Sequence, residues 1–182
     1  MAILGMEGFD VFTTSDSTAA ELNEVDGYSV SNANTADIRT ADSRFGTGKY
    51  YRGTWSDGAW RVTFDNSLIT DTFIISFAIM LTNSNAAHTL LQLWRDDGAD
   101  DHVRIDTLND NRLTVKNGNS TTIATTSSAL TLDNWYWVEF KVKISDTVGT
   151  VQLKINNVDE ISEILGDKDT KNGGSDTSIS GF

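Results

Sequence analysis

The 182-residue chain has no cysteine and no proline, only two histidines, and just 14 Lys and Arg against 26 Asp and Glu. Without cysteine there is no disulfide framework, so stability has to come from burial or association. The same lack carries little information on compartment, because many extracellular proteins are also free of cysteine. Two histidines and no cysteine leave a structural zinc site without its usual ligands. The shortage of bases gives a net charge of −12, which predicts repulsion from nucleic acid and from anionic membranes. Met1-Ala2-Ile3-Leu4-Gly5-Met6 has neither a basic start nor a long apolar run, so no secretory leader is expected. No segment approaches the ~20 apolar residues of a membrane-spanning helix. No glycine-rich loop leads from a strand into a helix, which leaves nucleotide binding unsupported.

What is present suits a packed β domain. The chain is 38% apolar and 9% aromatic, with five tryptophans. Its length fits one domain over residues 1–182, able to bury roughly 70% of its unfolded surface. Two-residue alternation recurs along the chain. Trp60, Val62 and Phe64 share a face, as do Phe73, Ile75, Phe77 and Ile79, with Ile74, Ser76 and Ala78 opposite. Leu91 and Leu93 alternate with Leu90 and Trp94, a doubly apolar run expected in a central strand. Leu113 and Val115 precede Asn117-Gly118-Asn119, a hairpin signal, and the return strand is expected over Thr121 to Thr125.

The clearest strand runs from Trp135 to Ile144. Tyr136, Val138, Phe140, Val142 and Ile144 form its core face, and Trp135, Trp137, Glu139, Lys141 and Lys143 the other. A turn at Asp146 to Gly149 leads to Val151, Leu153 and Ile155, and Asn156-Asn157 turns the chain again into Val158 to Ile161. One helix is a candidate, Glu160 to Leu165. Ser15 to Ala20 and Ser29 to Thr40 read as loops. Seven to eleven short strands are expected, in two packed antiparallel sheets.

Five segments resemble concanavalin A-like, laminin G-like jelly rolls. They are Glu7-Gly8-Phe9-Asp10, Arg44-Phe45-Gly46-Thr47-Gly48-Lys49-Tyr50, Thr72-Phe73-Ile74-Ile75-Ser76-Phe77, Asn134-Trp135-Tyr136-Trp137-Val138-Glu139 and Gly149-Thr150-Val151-Gln152-Leu153-Lys154-Ile155-Asn156. The match runs from about Gly5 to Asn157 and implies an all-β, two-sheet antiparallel jelly-roll sandwich, with Trp135 in a packed position. It does not specify function, since this fold hosts lectins, glycosidases, lyases and adhesion modules. The Met start running into Glu7-Gly8-Phe9-Asp10, with the later Arg44-Phe45-Gly46, is similar to jelly-roll proteins of tailed-phage virions. That narrower resemblance implies a head decoration, tail or fibre component, assembled in the host cytoplasm without a signal peptide. Its partners would be other virion proteins or copies of itself. The family usually continues past the Ile179-Ser180-Gly181-Phe182 segment into closing strands. Either the last strand here is very short, the topology differs, or the chain is a fragment. If the strand is missing, another chain or a loop must cover the exposed sheet edge, and association through that edge is the expectation that follows.

Candidate chemistry is sparse. Retaining glycosidases need two carboxylates about 5–5.5 Å apart. Glu24-Val25-Asp26 and Asp106 to Asp110 are the nearest runs, and neither has the spacing of the fold's glucanases. His88 falls in a loop and His102 before a strand, each expected exposed or capping rather than as the base of a triad. Asp96, Asp97, Asp100 and Asp101 surround Gly98-Ala99 and could supply oxygens to calcium or form a solvated turn. Asp167, Asp169 and Asp176 make a weaker group. Of the tryptophans, Trp55 in Gly53-Thr54-Trp55-Ser56-Asp57-Gly58 is the one expected exposed, near Tyr50 or Tyr51, for ligand stacking or loop anchoring. Two functions follow. One is a non-enzymatic virion-associated structural or interaction protein. The alternative is a carbohydrate-binding module or adhesin, with or without calcium, gripping surface glycans. A polysaccharide-degrading enzyme is a distant third.

Overall fold

The alternation becomes strand after strand in the computed structural model. It describes residues 28–31, 37–39, 50–52, 61–68, 71–82, 87–95, 101–171 and 177–181, with side chains at 71–82, 87–95, 101–163, 169–171 and 177–179. Thirteen strands lie among them: β1 (Tyr28–Ser31), β2 (Asp37–Arg39), β3 (Tyr50–Arg52), β4 (Arg61–Leu68), β5 (Thr72–Met80), β6 (Thr89–Arg95), β7 (Asp101–Thr107), β8 (Arg112–Asn117), β9 (Thr122–Ala129), β10 (Trp135–Lys143), β11 (Gly149–Ile155), β12 (Val158–Lys168) and β13 (Ile179–Gly181). No helix of the structure is long and apolar enough to cross a membrane, among the described residues.

The chain falls into two units, Met1–Asp65 and Asn66–Phe182. In the first, β1 pairs antiparallel with the start of β4, setting Tyr28 opposite Phe64 and Val30 opposite Val62. There too β2 pairs with β3, Ile38 opposite Tyr51. The Ser29 to Thr40 stretch, expected as loop, thus holds two short strands. Its Ser, Thr and Asn are poor strand signals alone, and cross-strand pairing overrides them.

In the second unit the antiparallel order is β13-β6-β7-β8-β9 in one sheet and β12-β11-β10-β5 in the other. The inner faces meet over one core. Leu91, Leu93, Val103, Ile105, Leu113 and Val115 come from the first sheet, and Phe73, Val138, Phe140, Val142, Val151, Leu153 and Ile161 from the second. Each such side chain, fully buried, contributes about 1.5–3 kcal/mol. The protein is an all-β, two-sheet antiparallel jelly-roll sandwich.

The unit is also stitched by polar groups. At the edges, Glu160 on β12 accepts from Ser127 Oγ at 3.0 Å and from Ser128 N at 3.1 Å on β9, joining the two sheets. At one end, Thr170 Oγ1 donates to Lys143 O at 2.6 Å, and Asn117 Nδ2 donates to Asp169 O at 3.4 Å. His102 lies wholly buried there, with Nδ1 2.6 Å from Lys171 O and Nε2 3.1 Å from Ser178 O. The sequence placed His102 at an exposed or capping position. Instead it sits in β7, held by chain from beyond residue 168 that local pattern could not foresee.

The Glu160 to Leu165 helix candidate is overturned, because those residues belong to β12. Val151 faces Ile164 while Leu153 faces Ile161, so three steps on β12 oppose two on β11. That bulge resets the alternation and spaces two apolar residues three apart, which imitates a helical pattern. Near residue 180 a short strand forms: β13 pairs with β6, Ile179 opposite Arg95.

Candidate functional site

β10 lies between β5 and β11, so its outward side chains occupy the middle of the four-stranded sheet's outer face. Val138, Phe140 and Val142 are buried, and Trp135, Trp137, Glu139, Lys141 and Lys143 alternate with them, all half-exposed. Two indoles therefore stand one above the other on the same strand face, spaced two residues apart. Met80 lies across from Trp135 and Ala78 across from Trp137 on β5. Ala78 carries little bulk.

On its other side Trp137 is held by the β11–β12 turn. Asn156 N donates to Trp137 O at 2.8 Å, and Trp137 N donates to Asn156 Oδ1 at 2.9 Å. Asn156 and Asn157 have φ of 51° and 67°, so both occupy the left-handed region that a two-residue hairpin of this twist requires. The same Asn156 that makes the turn thus fixes the backbone beneath Trp137.

Polar groups continue the face. Glu139 stands between Ser76 on β5 and Lys154 on β11. Lys141 Nζ is 2.8 Å from Glu163 Oε1, Lys154 Nζ 3.8 Å from Asp159 Oδ1, and Lys143 Nζ 4.0 Å from Asp71 Oδ2. Gln152 Nε2 also donates to Asp159 at 2.8 Å. Such a surface can stack an apolar ring face on indole and exchange hydrogen bonds with hydroxyls at its rim.

A shallow open depression of about 390 Å3 lies at the far end of the sheet, lined by Asp71, Lys143, Ser145, Asp146, Lys171 and Thr177. Its charges are matched: Lys171 Nζ is 3.0 Å from Asp146 Oδ2, and Lys143 faces Asp71.

Of the residues singled out from sequence, Trp55, Asp96, Asp97 and Asp100 lie outside the described residues, as do Glu24 and Asp26. Tyr51 is placed by its backbone in β3. Asp101 begins β7, buried, with its carboxylate 3.5 Å from Arg104 Nη1. Among the described residues, no three His, Asp or Glu side chains gather as a metal site. Asp106 accepts from Thr89 Oγ1 at 2.8 Å and meets Lys116 Nζ at 2.9 Å and Arg104 Nε at 3.3 Å. Asp110 is bound by Arg112 through Nε at 2.8 Å and N at 3.2 Å, and these hydrogen bonds hold its carboxyl below the usual range. The Asp106 to Asp110 run is therefore two base-paired carboxylates rather than an acid–base pair.

Trp135 departs from the packed position the resemblance implied, and it stands half-exposed on the outer face instead. The sequence had already put both tryptophans on the face shared with Glu139, Lys141 and Lys143. An aromatic in phase with charged residues along a strand is the signal that it points outward.

No family model matches the chain, and no curated protein does. Among solved structures, similarity is found to the carbohydrate-binding module CBM66 from Bacillus subtilis, at 15% identity and a TM-score of 0.47, covering 85% of each chain.

Proposed function

We propose that this chain binds carbohydrate without chemical turnover, on the outer face of the sheet formed by β5, β10, β11 and β12. The observation that carries the proposal is the half-exposed pair Trp135 and Trp137, in line with Glu139 at the centre of that face. Indole surface left in water is unfavourable, and the C–H face of a sugar ring covers it well because the ring quadrupole is negative above its plane. The neighbouring Glu139, Ser76, Gln152 and Lys154 offer acceptors and donors at hydroxyl height. A sheet face of this kind suits an extended glycan better than a small enclosed metabolite.

A broad glycan array followed by titration of intrinsic tryptophan fluorescence tests the proposal. Saturable binding with a fluorescence change is expected, together with no hydrolysis or elimination product. No binding across the array overturns it. A parallel series in chelator reports separately on a calcium ion at Asp96, Asp97, Asp100 and Asp101, which the proposed face does not use. The virion setting rests on Glu7-Gly8-Phe9-Asp10 and Arg44-Phe45-Gly46, which lie outside the described residues, and the proposal stands without it. On a virion, such a face would take host-surface glycans.

A further inference from the structure

The charges of the outer face are not balanced one for one. Among the described side chains, each of its three lysines faces a carboxylate: Lys141 with Glu163, Lys154 with Asp159, Lys143 with Asp71. Glu139 is the carboxylate left over among these described side chains. It lies between Ser76 and Lys154 in the two neighbouring strands, yet its carboxylate forms no hydrogen bond or ion pair with another described residue. Lys154, its cross-strand neighbour, is turned to Asp159, and that acid is held in place by Gln152 as well. Glu139 is also half-buried, in the middle strand of the sheet and next on the face after Trp137.

An ionised carboxylate has about four lone-pair sites and donates nothing. It accepts strongly from hydroxyls, and two adjacent hydroxyls can engage its two oxygens at once, much as a forked donor does. A second carboxylate or a sulfate brought to the same spot meets like charge with no base to offset it, since each nearby lysine is engaged. Repulsion of this kind selects as effectively as attraction does.

Resting on the carbohydrate reading, we infer that Glu139 makes the face selective for uncharged sugars, accepting two vicinal ring hydroxyls while the ring stacks on Trp137, and rejects uronate, sialylated and sulfated glycans. Trp137 supplies stacking and Glu139 the discrimination. Removing the charge while keeping the shape should therefore weaken neutral ligands and admit acidic ones.

The test is a titration of wild-type protein and of Glu139→Gln against two sets of probes. One set is neutral cello-, manno-, galacto- and fructo-oligosaccharides. The other is oligogalacturonate, sialyllactose and sulfated galactan oligosaccharides. Wild type should bind at least one neutral probe and none of the acidic ones to comparable affinity. Glu139→Gln should lose tenfold or more on that neutral probe and gain on the acidic set, with its unfolding midpoint unchanged. Wild-type binding to acidic probes as tight as to neutral ones overturns the inference and leaves the carbohydrate reading intact. So does a Glu139→Gln affinity within twofold of wild type on the neutral probe. Binding to neither set overturns both.

Discussion

Trp137 joins structure and recognition at one residue. Its backbone is clamped by both hydrogen bonds of Asn156, while its ring is half-exposed beside small Ala78. Trp137 is only partly exposed, so Trp137→Ala should lower the unfolding midpoint by a few degrees. Its glycan affinity should fall by roughly thirtyfold, the loss of about 2 kcal/mol usual for an aromatic anchor. Glycan titration beside thermal unfolding checks both halves. Glu160 gives a prediction in pH. Burial pushes its carboxyl up, but the hydrogen bonds from Ser128 and Ser127 outweigh this and hold it below its ordinary value of 4.5. A lowered folded-state value contributes stability above the unfolded value and loses it as pH falls through the folded one. The gap in unfolding midpoint between wild type and Glu160→Gln should therefore be steady near neutrality and shrink below about pH 4.5. At this scale the sequence was legible in phase and opaque in partner. It placed Trp135 and Trp137 with the charged residues, while Trp55, the tryptophan it expected exposed for stacking or loop anchoring, lies outside the described residues. What it could not show is that the Glu139 carboxylate lacks a base among the described side chains of that face, since the pairings of Lys154 and Lys141 depend on β12 lying alongside.

Turns decide the elements. Asn156 and Asn157 both hold positive φ, and the two-residue loop they form sets Ile155 opposite Val158. Asn157→Gly relieves the remaining side-chain cost of that conformation and should raise stability by a few tenths to about 1 kcal/mol, measured by denaturant unfolding. Asn156→Gly should behave differently. The turn survives, but Trp137 N loses the Oδ1 acceptor, so glycan affinity should drop while the hairpin persists. The other hairpin was read from Asn117-Gly118-Asn119, and it forms, but its left-handed non-glycine residue is Ser120, with φ of 64°. Asn117 accepts from Ser120 N at 2.9 Å and donates to Thr121 O at 3.0 Å, making a three-residue loop instead of the tight two-residue one. Boundaries followed local sequence well in β10 and β11, where alternation is unbroken. They failed in β12, where bulges shift the phase, and in β1 and β2, where strand formation depends on a distant partner.

For the whole molecule, the lack of cysteine leaves the sandwich to its core and its polar stitches. Phe140, 1% exposed at the centre of β10, is the largest wholly buried side chain among the described residues. Phe140→Ala should cost about 3–5 kcal/mol, read as a fall of roughly 10 °C or more in the unfolding midpoint, with reducing agent having no effect on either protein. The division of labour along β10 follows: one face builds the core that keeps the sheet rigid, and the other presents the indoles and Glu139 on that rigid support. The measurement that tests this most directly is an NMR titration with the tightest-binding neutral oligosaccharide. The account predicts that the indole N–H signals of Trp135 and Trp137 and the amides around Glu139, Ser76 and Asn156 shift together and saturate at one affinity. Shifts confined to other surfaces, or no shift at any ligand concentration, would contradict it.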